Sequence, residues 1–155
     1  MSAYKSSIFE LISKDNLAIP DYQRPYKWSK RNIEELLIDI SRAIEEGQKY
    51  GDTYKYRIGS ILIHEQDGRM YIVDGQQRII SITLICQYLL PSFNTGLTGH
   101  QFSDNISKQN IRDNYMFIRQ WFSLQSEDEK QHFLDALNKI IEVIVITVYN
   151  ESEAF

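Results

Sequence analysis

The stretch that most constrains the fold is a short apolar segment that passes through a glycine directly into a helical pattern. Residues 70–73 read Met-Tyr-Ile-Val, and Asp74-Gly75 indicates a sharp turn. Apolar residues then recur at helical spacing, at Ile79, Ile82, Ile85 and Leu89. We therefore expect a buried strand that feeds a helix running from Gln76 to Leu90 and ending before Pro91.

The first turn of that helix has several features of an anion-binding site. It offers unpaired backbone N–H groups and the positive end of the helix dipole, beside the amides of Gln76 and Gln77 and the guanidinium of Arg78. The alternative is an ordinary strand-to-helix turn in which Asp74 acts only as a cap. Spacing by itself does not separate the two interpretations.

The rest of the chain predicts helices mixed with short strands. The predicted helices are Ser6–Asn16, Ser29–Gly47 with Ser29 as cap and Gly47 as stop, Ile106–Leu124 and Ser126–Leu137. The predicted strands are Leu17–Ile19, Tyr56–His64 and Ile140–Tyr149, and Gln66–Arg69 is typical of a hairpin turn. Gly59, inside a strand, marks a bulge or a close approach to the backbone. The predicted fold class is α+β, with a small mixed sheet packed against helices.

Two segments are predicted along the chain. Residues 1–92 carry the motifs and form the expected core, and residues 93–155 form a helical extension with a further strand. The last residues, 150–155, resemble the opening of another helix, so we expect the sequence to be truncated before further domains.

Composition excludes several classes of protein. The net charge is −4, so nothing global attracts nucleic acid or an anionic membrane, and any contact with a polyanion is expected to be local. The one cysteine, Cys86, excludes a disulfide within the chain and is predicted to be a buried thiol. No apolar run reaches about 18 residues and no signal peptide is visible, so a cytoplasmic protein is expected. No metal site is predicted, because His64, His100 and His132 lie at no metal-ligand spacing.

Two polar clusters follow predicted strands and could share one end of the sheet. They are Tyr22-Gln23-Arg24 and the segment Asp74–Arg78. Arg24 and Arg78 would repel each other there unless carboxylates or an anion neutralised them, and a di- or triphosphate can do so through bidentate contacts. The amides of Gln23, Gln76 and Gln77 do not ionise, so they suit the orientation of a phosphate oxygen, a base edge or a water molecule. Asp74 could hold Mg²⁺ through water, orient a water molecule, or only cap the turn.

The segment between the first strand and the second helix is rich in aromatic residues. Tyr22, Tyr26 and Trp28 lie within it, and Pro25 excludes a regular helix. These rings either pin the loop to the body of the domain or stack on a ligand. The composition of the segment favours the first role, in which the rings attach the loop to the body of the domain.

Three blocks of this sequence together resemble a known family. They are residues 19–28, IPDYQRPYKW; residues 58–63, IGSILI; and residues 72–82, IVDGQQRIISI. In this order they resemble the signature of the DGQQR family, the N-terminal domain of GmrSD-type modification-dependent restriction enzymes and related phage-defence proteins. That family is similar to the ParB and sulfiredoxin-like superfamily.

The resemblance implies a ParB-like domain in which the glycine turn holds nucleotide phosphates. By position it implies nucleotide binding by Gln23, Arg24, Gly75, Gln76, Gln77 and Arg78, and catalysis by Asp74, Gln77 and Arg78. It further implies Mg²⁺ as co-ligand, NTP hydrolysis that regulates or powers a nuclease, DNA as a partner, and an HNH-type nuclease domain in cis or in trans. No HNH constellation is present in this sequence, and a homo-oligomer is left open.

The first hypothesis is therefore an NTP-binding and NTP-hydrolysing regulatory domain of a restriction or phage-defence protein. The alternative is a non-catalytic sensor that recognises modified DNA through Tyr22, Tyr26 and Trp28, since stacking is worth about 1–3 kcal/mol per base. A weaker third reading is a small-molecule kinase of the same superfamily.

Overall fold

A computed structural model describes residues 1–20 and 24–149 of the chain. The strands are β1 (Ser2–Ser7), β2 (Leu17–Ala18), β3 (Tyr56–Gln66), β4 (Arg69–Asp74) and β5 (Ile141–Val148). The helices are α1 (Ile8–Ile12), α2 (Lys30–Tyr50), α3 (Gln76–Leu89), α4 (Asn105–Phe122) and α5 (Glu127–Lys139).

The strands form one mixed sheet in the order β1-β5-β3-β4-β2. β1 and β5 are antiparallel, β5 and β3 parallel, β3 and β4 antiparallel, and β4 and β2 parallel. The α+β class with a mixed sheet is thereby confirmed. Because β5 pairs with both β1 and β3, the sheet takes strands from both predicted segments, and the boundary at residue 92 stays a prediction.

The sheet has a buried face, and α3 contributes a long buried stretch to the core beside it. Along β5, buried residues alternate with half-buried ones, which is the pattern of a strand covered on one side. In α3 every residue from Ile79 to Cys86 is buried. Each such apolar side chain contributes roughly 1.5–3 kcal/mol through burial, so α3 starts from a firmly fixed position. The prediction that Cys86 is buried is confirmed.

The N-terminal prediction was wrong over its first residues. Ser2–Ser7 is a strand, and the helix expected over Ser6–Asn16 runs only from Ile8 to Ile12. Ser7 is its cap, since the hydroxyl of Ser7 accepts a hydrogen bond from the N–H of Glu10 at 3.0 Å. Six residues of β1 pair with β5, so a distant partner overrides the local pattern.

Gly47 does not end the second helix, contrary to the prediction. α2 continues to Tyr50 and ends at Gly51, whose φ of +92° suits glycine. Gly47 is instead a packing position, because a Cβ there would lie 2.9 Å from Cδ1 of Ile140.

Candidate functional site

The predicted strand-to-helix turn is present, and its glycine is required by packing. Gly75 is the N-cap of α3 with φ of +96°, a conformation that other residues adopt only with strain. A Cβ on Gly75 would lie 2.5 Å from Cδ1 of Ile61 and 3.5 Å from the carbonyl oxygen of Ser60. The start of α3 therefore rests directly on β3. Asp74 caps the turn locally, since its Oδ1 accepts the N–H of Gly75 at 3.0 Å.

An open cleft of about 690 Å³ lies at this end of α3. Its lining consists of Pro20, Arg24, Pro25, Lys27, Trp28, Val73, Asp74, Gly75, Gln76, Gln77 and Arg78. β2 and β4 are parallel, so the segments that follow them leave the same edge of the sheet and meet here. Arg24 and Arg78 thus line one cleft, as the sequence indicated.

Three cations line the cleft although the chain as a whole is acidic. They are Arg24, Lys27 and Arg78, and Asp74 is the one carboxylate among the lining residues that the structure describes. Within residues 1–20 and 24–149, none of these three cations forms an ion pair. Converging cations without carboxylate partners create a positive potential that favours an anion.

Arg78 is held in place by a bulge in β3. The register of β3 against β5 shifts between Arg57 and Gly59, so Ile58 has no paired position in β5. The carbonyl of Ile58 accepts a hydrogen bond from Nη1 of Arg78 at 2.9 Å. Gly59 has φ of +150°, and a Cβ there would lie 2.6 Å from Nη1 of Arg78. Both expectations for Gly59, the bulge and the close approach, are confirmed, and the approaching group is the guanidinium.

The side chains of Gln76 and Gln77 form hydrogen bonds with backbone groups. Oε1 of Gln77 accepts a hydrogen bond from the N–H of Lys27 at 2.8 Å, and Nε2 of Gln77 donates one to the carbonyl of Pro25 at 3.2 Å. Gln76 donates from Nε2 to the carbonyl of Ile72 at 2.7 Å. A role for Gln77 in orienting water stays a prediction, and its contacts indicate that it positions the loop beside the cleft.

Tyr26 attaches the segment of residues 24–29 to the body of the domain. Its ring is fully buried, its hydroxyl lies 2.7 Å from Oγ of Ser81, and Nδ2 of Asn114 donates to that hydroxyl at 2.9 Å. Burial raises the pKa of the Tyr26 hydroxyl above its ordinary value. The ring has no surface on which a base could stack, so Tyr26 does not fit the stacking role that was open for it.

Of the aromatic residues that the structure describes in this segment, Trp28 lines the cleft. Its side chain is half-buried, and its carbonyl accepts Nδ2 of Asn114 at 2.8 Å. Tyr22 and Gln23, the other predicted site residues of this segment, lie outside the described residues.

Three groups that shape the site were not predicted from the sequence. Lys27 occurs in the sequence analysis only within the quoted block of residues 19–28, and Asn114 has no signal there. The carbonyl of Ile58 could not be anticipated as an acceptor. Gly59 was the only signal for any of them, because a glycine inside a strand marks a close approach.

Neither a membrane segment nor a metal cluster is found in the described part of the chain. Over residues 1–20 and 24–149, no helix combines the length and apolar character needed to cross a bilayer. In the same residues no three His, Cys, Asp or Glu side chains are grouped closely enough to hold a metal ion. Among the described lining residues, Asp74 could bind a divalent cation in the cleft. The other coordination positions would be filled by oxygen atoms of a bound ligand or of water.

Comparison with known proteins identifies a matching family. The sequence model of the family described as "GmrSD restriction endonuclease, N-terminal domain" matches residues 7–155. The match includes all three blocks quoted above and every element after β1. No curated protein matches the chain.

Proposed function

The chain belongs to the family of N-terminal domains of GmrSD restriction endonucleases, and we propose that its cleft at the start of α3 binds the phosphate chain of a nucleoside triphosphate. Membership of this family supports a role in phage defence, with DNA as the substrate of the enzyme. Nucleotide binding and hydrolysis would then regulate a nuclease domain that acts in cis or in trans.

One observation carries this proposal: Arg24, Lys27 and Arg78 converge on a helix N-terminus without carboxylate partners among the described residues. Backbone N–H groups of the first turn of α3 add donors, and the helix dipole adds positive potential. Guanidinium groups bind phosphate through paired hydrogen bonds, which lysine complements as a point charge.

Arg78 is the best prepared of the three cations. A guanidinium has five N–H donors, and the bond to the Ile58 carbonyl uses one of them. The remaining donors of Arg78 have no acceptor within residues 1–20 and 24–149. The side chain is thus fixed before a ligand arrives, so little ordering cost is added when phosphate binds.

Asp74 is the group that fits the chemical step. It is exposed in the cleft, and its Oδ1 caps the neighbouring N–H while Oδ2 has no protein partner in the described chain. A carboxylate in that position can bind Mg²⁺ through water or orient the attacking water toward the γ-phosphorus. Attack forms a bond from the water oxygen to the γ-phosphorus and breaks the bond from that phosphorus to the β–γ bridging oxygen. The nucleoside diphosphate and inorganic phosphate are released, and the proton of the water passes to solvent.

Isothermal titration with the four NTPs in the presence of Mg²⁺ tests binding. We expect Arg24→Gln and Lys27→Gln each to weaken affinity roughly tenfold or more, the value of one hydrogen bond to a charged group. Arg31→Gln is the matched control, because Arg31 is an exposed cation that pairs with Glu35 at 3.4 Å outside the cleft. Failure of every NTP to bind the unmodified protein would overturn the proposal.

Hydrolysis is tested separately by phosphate release under saturating nucleotide. Asp74→Asn retains the shape and the capping oxygen, so we expect affinity to be kept and turnover to fall. Equal turnover in the variant and the unmodified protein would remove Asp74 from the chemical step.

Recognition of modified DNA is the second candidate, and Trp28 is the described residue that favours it. Its half-buried ring lines the cleft and could stack on an extruded base. Titration with plain and modified duplexes discriminates the two functions. Binding of modified duplex that Trp28→Ala abolishes, together with no response to NTPs, would establish the sensor instead.

A further inference from the structure

We infer that α4 holds the nucleotide cleft in its binding shape, with Asn114 as the positioning residue. The inference rests on the proposed function for the identity of the ligand. The segment concerned is residues 24–29, here called the cation loop, which carries Arg24 and Lys27 and has no regular secondary structure.

The cation loop has few means of holding itself in place. It forms no helix and no strand, so its backbone groups need side-chain partners or water. Two long cations placed on such a loop have a defined separation from Arg78 only if another element fixes the backbone. The structure contains such partners on two different helices.

Asn114 lies on α4 and is one of the deeply buried partners of the loop. Only 1% of its surface is exposed. Its Nδ2 donates both to the hydroxyl of Tyr26 at 2.9 Å and to the carbonyl of Trp28 at 2.8 Å. One amide therefore fixes a side chain and the backbone of the cation loop together, in a site where an unmade hydrogen bond is expensive.

Two further residues of α4 extend the same contact. Oγ of Ser107 accepts the N–H of Tyr26 at 2.8 Å, and Nδ2 of Asn110 donates to the carbonyl of Tyr26 at 2.8 Å. Positions 107, 110 and 114 recur at helical spacing and so form one polar stripe on α4. The stripe satisfies both backbone groups of Tyr26.

The opposite side of the cation loop is held by α3. Gln77 bonds the backbone of Pro25 and Lys27, and Ser81 bonds the hydroxyl of Tyr26. The loop is thus held between the helix that supplies Arg78 and the helix that supplies Asn114. The distance of Arg24 and Lys27 from Arg78 therefore depends on the bonds to both helices, and α4 supplies one side of that hold.

The test compares Asn114→Ala with Gln109→Ala. Gln109 is an exposed position on α4, and its side chain is hydrogen-bonded to Arg112 and Asp113 of the same helix. Hydrogen exchange reports the amides of Tyr26 and Lys27, and calorimetry reports nucleotide affinity. We expect Asn114→Ala to speed exchange of both amides roughly tenfold, to leave the amides of Ile82–Cys86 protected, and to weaken nucleotide binding roughly tenfold. Gln109→Ala should change none of these.

Exchange at Lys27 is the decisive readout, because its N–H is bonded to Gln77 and not to α4. A role of Asn114 confined to the stability of α4 would leave that amide unchanged. If Asn114→Ala does not fold, Asn110→Ala removes a single bond at a half-buried position and serves the same comparison.

The outcomes separate the two proposals. If Asn114→Ala speeds exchange in the cation loop but the unmodified protein binds no NTP, the proposed function is overturned and the positioning of the loop by α4 is supported. If exchange at Lys27 is unchanged in Asn114→Ala, that positioning is overturned. If exchange is faster but nucleotide affinity is undiminished, α4 positions the loop without shaping the cleft for nucleotide.

Discussion

Substitution of Gly75 by alanine tests the close packing of the turn between β4 and α3. Two costs add at this position. The left-handed conformation at φ of +96° costs a residue with a side chain about 1–2 kcal/mol. The new Cβ would lie 2.5 Å from Cδ1 of Ile61, a buried core atom, and such overpacking costs about 1–3 kcal/mol.

We therefore expect Gly75→Ala to lower the free energy of unfolding by about 2–5 kcal/mol. Gly68→Ala is the matched control, because Gly68 has φ of +78° and a Cβ there would meet nothing within 4 Å. It should cost only the conformational strain, about 1–2 kcal/mol. Urea unfolding of the two variants measures the difference directly.

A double-mutant cycle isolates the collision with Ile61. Ile61→Val removes Cδ1 and by itself should cost about 0.5–1.5 kcal/mol. In the Gly75→Ala background the same change should cost less or restore stability, because it removes the colliding atom. Additive free energies, or equal costs for Gly75→Ala and Gly68→Ala, would refute the packing explanation.

Burial raises the pKa of Cys86 to about 12. At pH 8 the thiol of the native protein should therefore react with Ellman's reagent about a thousandfold more slowly than the thiol of the protein unfolded in guanidinium at the same pH. Ser126→Ala removes the capping box with Glu129, in which the two bonds measure 3.1 and 3.2 Å, and should lower the unfolding free energy by about 1 kcal/mol in urea. Gly59→Ala should displace the guanidinium of Arg78 and weaken NTP binding roughly tenfold by calorimetry, with the helical circular dichroism retained.

Elements with local signals were predictable from the sequence. The capping box at Ser126 starts α5, the pair Asp67-Gly68 turns the hairpin with φ of 53° and 78°, and the apolar spacing after Gly75 gives α3. In each case the interactions that decide the structure lie within a few residues, so the pattern contains them.

Elements that depend on distant partners were not predictable. The sequence of β1, SAYKSS, has no apolar alternation, and it becomes a strand because residues 142–147 of β5 pair with it. Gly47 has the appearance of a helix stop, and only the position of Ile140 shows that it is a packing glycine.

The same distinction applies to the site. Arg24 and Arg78 could be placed together because each follows a strand that leaves the same edge of the sheet. The role of Asn114 could not, because an asparagine in a helix gives no sign of a partner 88 residues earlier. The sequence suggested that Gln77 orients a phosphate oxygen, a base edge or a water molecule, and this stays a prediction. Its hydrogen bonds to the backbone of Pro25 and Lys27 could not be predicted, because they join residues about 50 positions apart.

The place of β5 has a consequence for biosynthesis. This strand, formed by residues 141–148, fills the gap between β1 and β3. A nascent polypeptide leaves the ribosome N-terminus first, so β1 cannot pair with its neighbour until residues 141–148 have emerged. The elements that form the cleft lie on the other side of that gap and are synthesised earlier, so the sheet joins its two sides only after β5 has been made.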